Sequence, residues 1–486
     1  MTTDQVHLGV DLGTSALKVV AVGRDGAVRA TARCDYPTAR PEPLAAEQDT
    51  QDWWSALARA LAEVAAAVPA RDWAGIGLSA MLPTLVALDS TGTPVGPAIT
   101  WEDGRAEPEA ARLRDAIGGD RLYQLTGQRV DGRYLAPMHE RLTRLGRGGV
   151  VAAAAKDVLF DRLTGRLLTD PSTAAGTAVF DLDRRAWDPE LIVTADVPGL
   201  PVVAPSSTVA PLSPQWRSAL NITDDVPVVL GAADSVLGAF GMGARTHGDV
   251  AVIAGTSAVV LGISDHAVRD PHSRYLITPL AGSGWGLEMD VLAVGSAFDG
   301  IARLLRLSGP AALLEAAATV PPGHTPVFLP YLTPGEQGAL WDPRLTGTLH
   351  GLDLSMGPGH VGRALLTGVI VELRRAISIA ETATGRRGPV LLGGGAATNP
   401  LLWQELADAT GREVLVDRSC RDHSAVGAAM FAAQTLGLPI SHAPQLHRVV
   451  PRHHSMQLRG MGDRQAECLC REHRRADGRV IAAGPV

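Results

Sequence analysis

The sequence repeats itself. Val10–Val20 reads VDLGTSALKVV and Val252–Ile263 reads VIAGTSAVVLGI, so the tetrapeptide GTSA returns 242 residues later (255 minus 13) with apolar runs on both sides. An apolar run, a Gly-Thr-Ser turn and a second apolar run make a strand-turn-strand unit. Its return predicts two halves built on related hairpins. A chain of 486 residues is too long for one hydrophobic core, which also asks for two or three domains.

Short strands and helices alternate along the rest of the chain, the mark of an α/β protein. The opening VHLGV, LKVVAV and AVRATARCDY runs predict a three-stranded meander. Asp49 is placed to cap an amphipathic helix carrying Trp53, Trp54, Leu57, Leu61 and Val64. The runs IGLSAM, LVAL and AITW follow as strands, then a charged helix beginning near Arg105. GAFGMGARTHGD, rich in glycine, precedes the second hairpin and suggests a boundary and hinge near residue 245. The expected organisation is residues 1–244, residues 245–440, and a polar tail over 441–486 with no regular structure assigned. Within that tail Cys468, Cys470 and His473, and the pair His453 and His454, lack the spacing of a zinc site.

Gly13, Thr14 and Ser15 occupy a turn where backbone N–H groups can converge on phosphate oxygens; the two hydroxyls and the Lys18 ammonium add donors. An ordinary polar hairpin is the competing reading. Asp11, at the strand end, suits Mg2+ held through water, because that ion keeps several of its own waters. The second copy, Gly255, Thr256 and Ser257, supplies another such turn, but Ile253 stands where the first copy has Asp11. Only one half therefore carries a metal-linked carboxylate. VLLGGGAATNPLLW reads as a strand, a glycine turn through Gly394 and Gly395, and a helix entered at Asn399 and Pro400, a turn a nucleoside can approach closely. No Walker A sequence is present. Asp234 follows the apolar run VPVVLGAA, where a carboxylate must be hydrogen-bonded, paired or functional. A helix cap and a catalytic base are both open for it.

A net charge of −7 gives no positive field for nucleic acid or anionic lipid, no apolar run is long enough to cross a bilayer, and the N-terminus has no signal-peptide pattern. Four cysteines are too few for a disulfide framework, and a cytoplasmic protein is expected. His139, His247, His350 and His423 fall in no metal or acid-base spacing and are expected in loops or at the surface.

DLGTSALKVV, EQDTQDWW, ITWEDGR, GAADSVLGA, AGTSAVV, FLPYL, LLGGGAATN and SAVGAA occur in the order in which the FGGY carbohydrate kinases carry them, and over residues 6 to 440 the chain resembles that family, most of all its xylulokinases. The resemblance implies an α/β fold of two ribonuclease H-like, actin-type domains with ATP and sugar in the cleft between them. It implies Asp234 as catalytic base and Asp11 as the metal-linked aspartate. Gly13, Thr14 and Ser15 match the first phosphate turn, Gly255 and Thr256 the second, and Gly394, Gly395 and Asn399 the adenosine region. Met81, Leu82, Trp101, Asp234 and Ser235 fall where the family meets its sugar. ATP, Mg2+ and a sugar are the implied ligands, with D-xylulose leading; a homodimer is compatible with this and not required by it.

Some positions depart from the xylulokinase pattern. Leu82 stands where histidine is usual, Ser235 where asparagine or glutamine is frequent, and Met138 where lysine is usual. TPGEQGALWDP follows FLPYL in place of a GERTP form. These changes touch the acceptor pocket and leave another ketose, a polyol or a sugar acid as alternatives. An actin-like ATPase and a catalytically silent sugar-binding regulator are the rivals from other classes.

Overall fold

The computed structural model describes residues 5–452 apart from 322, 324, 334–337, 339, 343, 419–421 and 442–445. The Cys468, Cys470 and His473 group and the His453 and His454 pair lie outside the described residues.

The chain divides into two compact units. The first takes the sequence up to Arg245, Ser264–Gly286, and a segment opening at Asp422; the second takes Thr246–Ile263, the stretch that begins at Leu287, and the strand Leu446–Val449.

In the first unit the expected meander is present as β1 (Val6–Leu12), β2 (Ala16–Gly23) and β3 (Val28–Asp35), paired antiparallel in turn. Helix α1 (Thr50–Ala67) starts at Asp49, whose carboxylate accepts from the Gln51 N–H at 2.9 Å, as a cap should. It is followed by β4 (Trp73–Ala80), β5 (Val209–Pro211), β6 (Pro227–Ala233) and α2 (Asp234–Met242). The sheet order is β5-β6-β4-β1-β2-β3, with β1, β4 and β6 parallel and β5 antiparallel to β6.

Every residue of β1 is buried, as expected of a strand covered on both faces. Leu8 and Val10 join a core with Trp53, Leu57, Leu61 and Trp73. Gly9 and Gly77 point the other way. A Cβ on Gly9 would lie 1.7 Å from the Ala425 carbonyl oxygen, and one on Gly77 2.0 Å from that of Ala428. No side chain fits where that helix backbone lies on the sheet.

The second unit contains β7 (Val250–Ala254), β8 (Ala258–Ser264), β9 (Trp285–Val291), α3 (Pro358–Thr384), β10 (Val390–Gly393), α4 (Pro400–Thr410) and β11 (Val414–Asp417). The helix against Gly9 and Gly77, α5 (His423–Thr435), belongs to the first unit, and β12 (Leu446–Val449) closes the edge of the second sheet. The strands run β9-β8-β7-β10-β11-β12. β7 and β8 are antiparallel, β7, β10 and β11 parallel, and β12 antiparallel to β11. From β8 to β12 this is the order and sense of the first sheet from β2 to β5, so the GTSA repeat marks a repeat of architecture.

Two expectations need correcting. Leu446–Val449, within the tail left without regular structure, forms β12: four residues recruited by the edge of β11 show no period of their own. His139 and His423 are buried, not superficial. Each sits in a helix whose buried residues are otherwise apolar, and the His139 ring bonds the Gly149 carbonyl at 3.1 Å. No described helix is long and apolar enough to cross a membrane.

Candidate active site

In the first unit three adjacent parallel strands end side by side. Leu12 of β1 is in register with Ala80 of β4, and Ala80 with Ala233 of β6. Just past these ends come the Gly13–Ser15 turn, the Met81-Leu82 pair and Asp234. The carboxyl end of parallel strands is where α/β proteins bind ligands. With strands about 4.8 Å apart, Asp11 and Asp234 stand on strands roughly 10 Å apart.

Asp11 is buried, its Oδ1 accepting from the Ser79 hydroxyl at 2.8 Å. Lys18, its partner across the hairpin, has Nζ 3.9 Å from Asp11 Oδ2 and 3.0 Å from Asp422 Oδ1. Burial pushes the Asp11 carboxyl up, opposed by Lys18 and by the Ser79 hydrogen bond. Burial lowers the Lys18 ammonium, but Asp11 and Asp422 outweigh it and hold it above its usual value. A buried carboxylate in this position gains from a nearby cation. No group of three or more metal-ligating side chains exists among the described residues. The donor set therefore fits a cation held mainly by phosphate and water, as Mg2+ is.

The first turn is tied down through its carbonyls. Tyr36 donates its hydroxyl to the Gly13 carbonyl and its N–H to that of Ser15, and Gln48 Nε2 donates to that of Thr14 at 2.7 Å. Gln48 in turn accepts from the Trp53 indole of α1 at 2.9 Å. Trp101 donates its indole N–H to Thr14 Oγ1 at 2.9 Å, which leaves the Thr14 hydroxyl hydrogen to be given elsewhere. With its carbonyls engaged by protein, the turn has N–H and O–H groups to offer an anion.

Asp234 is the first residue of α2, and Ala233 occupies the cap position. One Asp234 carboxylate oxygen accepts from the Ser235 N–H at 2.8 Å, and its carbonyl from the Ser424 hydroxyl at 2.9 Å. Ser235 is buried, and its hydroxyl has no partner among the described residues. Met81 is buried, its N–H bonded to the Leu12 carbonyl at 2.9 Å. Leu82 packs on the apolar cluster of Val236, Leu237, Ala428 and Phe431. An imidazole there would face hydrocarbon, which accounts for a leucine. Met138 is buried in the helix Leu135–Arg144.

The second turn, Gly255–Ser257, is held by main chain. Its Gly255 N–H donates to the Ser257 carbonyl at 2.7 Å. The N–H groups of Val294 and Ser296 donate to the Thr256 carbonyl at 3.1 Å, and that of Gly295 to the Gly255 carbonyl at 3.0 Å. In the same unit Gly394 has φ +92°, and a Cβ there would lie 2.4 Å from the Ala254 carbonyl oxygen, whereas Gly395 faces open space. Asn399 caps α4, accepting from the Leu401 N–H at 2.9 Å. Sequence reading missed Tyr36, Gln48, Ser79 and Asp422. Tyr36, Gln48 and Ser79 stood in stretches read as strands or helix, AVRATARCDY, EQDTQDWW and IGLSAM, but without a role; Asp422 stood in none.

Comparison with known proteins identifies the family and the fold. The profile of the FGGY family of carbohydrate kinases, N-terminal domain, matches residues 6–241, and the C-terminal domain profile matches 250–436. A xylulose kinase of Klebsiella pneumoniae is 32% identical, over 88% of this chain and 89% of the relative. A gluconokinase of Bacillus subtilis (strain 168) is 27% identical over 88% and 87%. The crystal structure of a ligand-bound xylulose kinase from Lactobacillus acidophilus superposes with a TM-score of 0.90 at 24% identity, covering 97% of this chain and 99% of that one.

Proposed function

The chain belongs to the FGGY family of carbohydrate kinases, enzymes that use ATP and Mg2+, and from that premise we propose that it phosphorylates a pentulose, D-xylulose to D-xylulose 5-phosphate, with Asp234 as general base. The observation that carries the assignment of the base is the placement of Asp234 one step past the end of β6, beside the strand ends that bear Met81 and the Gly13–Ser15 turn. The choice of sugar is supported by the xylulose kinase relative.

Phosphoryl transfer has a loose transition state, so the protein chiefly positions groups and stabilises charge. The Asp234 carboxylate takes the proton of the attacking hydroxyl as its oxygen bonds to the γ-phosphorus. The bond from that phosphorus to the bridging oxygen breaks, and ADP leaves. Thr14 and Ser15, with Thr256 and Ser257, would donate N–H and O–H groups to the phosphates, and Gly255 would let the second turn come close to them. Lys18 would move part of its charge from Asp422 to them. Gly394 and Gly395 would lie against adenosine, with Asn399 shaping the helix start. Asp11 would hold Mg2+ through water, and the ion when bound neutralises phosphate charge.

A sugar acid such as gluconate is the second reading. It is favoured by the gluconokinase relative.

The test is ADP release with ATP and Mg2+ against pentuloses, hexuloses, polyols and sugar acids. Saturable turnover with D-xylulose is expected, and preference for gluconate moves the assignment to the second reading. Asp234→Asn should keep ATP binding and lose about 100- to 10,000-fold in kcat. Near-normal turnover in that variant removes Asp234 as the base.

A further inference from the structure

Two buried charges of the first unit have no part in the chemistry above. Lys156 and Asp170 are 1% and 0% exposed, with Nζ 3.0 Å from Oδ1. A buried ion pair is seldom more stabilising than apolar residues of the same volume, so what else Asp170 touches decides what the pair is for.

Asp170 Oδ1 also accepts from the Thr173 hydroxyl at 2.6 Å. Its Oδ2 accepts from the Ser172 N–H at 3.0 Å, the Ser172 hydroxyl at 2.6 Å and the Ser206 hydroxyl at 3.1 Å. Both serines continue to β6. Ser172 Oγ accepts from the Ala233 N–H at 2.9 Å, and the Ser206 carbonyl accepts from the Gly231 N–H at 3.0 Å. Gly231 lies inside an irregularity of β6 and Ala233 just beyond it. The register of β6 against β4 shifts between Val229 and Ala232, and Gly231 sits at φ +73° with a Cβ position 1.7 Å from the Leu78 carbonyl oxygen. A bulge re-aims the residues beyond it, and Asp234 is the next residue after Ala233.

An ionised carboxylate accepts only. It therefore fixes the direction of both hydroxyls: each gives its hydrogen to Asp170, and Ser172 then has a lone pair to receive the Ala233 N–H. A neutral group in place of Asp170 would not impose that direction, and Lys156 keeps the carboxylate charged inside the fold.

We propose that Asp170, paired with Lys156, is a positioning residue that sets the Asp234 carboxylate through Ser172 and Ser206, which hold β6 at Gly231 inside the bulge and at Ala233 just beyond it. The proposal rests on the reading of Asp234 as the base. An error of about 1 Å in placing a reacting group can cost on the order of 100-fold.

The test compares Ser172→Ala, Ser206→Ala and Asp170→Asn, alone and with Asp234→Asn, for kcat, KM for ATP and ATP-binding stoichiometry. Ser172→Ala is expected to lower kcat about 10- to 100-fold with KM for ATP within about two-fold and stoichiometry unchanged. Ser206→Ala should lower it less and Asp170→Asn at least as much. In the Asp234→Asn background, Ser172→Ala should have no further effect. If Asp170→Asn fails to fold, the two serine variants decide. A kcat within two-fold of wild type for both, or the same loss on top of Asp234→Asn, overturns the positioning role while Asp234 stands. Near-normal turnover of Asp234→Asn itself overturns the base and the positioning role together.

Discussion

The hairpins Val6–Gly23 and Val250–Ser264 carry the same GTSA and pair in the same sense, yet differ in what holds them. In the first, Asp11 faces Lys18 across the strands; in the second, Ile253 faces Val259. The first pairs Leu12 with Leu17 and leaves four residues in its turn. The second pairs Ala254 with Ala258 and leaves three. Side chains from distant elements, Tyr36, Gln48 and Trp101, hold the first turn, and main-chain N–H groups of Val294, Gly295 and Ser296 hold the second. On the proposed reading, backbone is what both turns offer to phosphate, and a metal-linked carboxylate is asked of the first hairpin alone.

The sharpest way to break this comparison is to neutralise the charged copy. Asp11→Asn keeps size and an acceptor for Ser79, but removes the charge that faces Lys18 and that would hold Mg2+. A loss of about 100-fold or more in kcat is expected, because groups that orient a metal are worth 10- to 100-fold even at one remove. Excess Mg2+ should not restore it fully. Ile253→Val, at the matching position, should stay within two-fold. Comparable losses in both variants would show that position 11 has no special standing.

A second contrast lies at the strand entrances. His7 and Asp249 hold the same place in the repeat (249 minus 242 is 7), and both are buried. Asp249 Oδ2 accepts the Thr246 N–H at 2.9 Å, whereas neither ring nitrogen of His7 has a partner among the described residues. Burial, helped by Arg24, lowers the His7 pKa to about 4. Below pH 6.5 the unfolded chain takes up a proton that folded His7 refuses, so stability falls as pH drops from about 6.5 toward about 4. At pH 5.5 the cost relative to pH 7.5 is on the order of 1 kcal/mol. His7→Leu should flatten the fall in Tm between those pH values and leave kcat unchanged. An equal fall in the variant would exclude His7 as its source.

How much of this could be read beforehand depends on sequence distance. The meander, the Asp49 cap, the turn at Gly394 and the Asn399-Pro400 helix start were legible because each is signalled by adjacent residues. The GTSA repeat exposed the doubled architecture. Ser79 lies 68 residues from Asp11, and Ser172 lies 61 from Ala233. Nothing local distinguishes those serines from others; strand pairing alone brings them to the site. His139 and His423 were misjudged because one polar residue among apolar helix neighbours carries no sign of which way the helix will be covered.

The smallest expected effects separate the two ways of holding a turn. Gln48→Ala and Trp101→Phe each delete one side-chain hydrogen bond to the first turn, worth about 1 kcal/mol, so KM for ATP should rise about five-fold. Ser296→Ala deletes the hydroxyl that bonds the Thr256 carbonyl at 3.0 Å, while the Ser296 and Val294 N–H groups still reach that oxygen. A carbonyl with two other donors gains little from a third, and KM should move less than two-fold. Trp101 separates phosphate binding from sugar binding as well. Its indole is seen on Thr14, so Trp101→Phe should raise KM for ATP more than KM for the sugar. The reverse pattern would make Trp101 a sugar contact first, and would leave Gln48 and Tyr36 to hold the first turn.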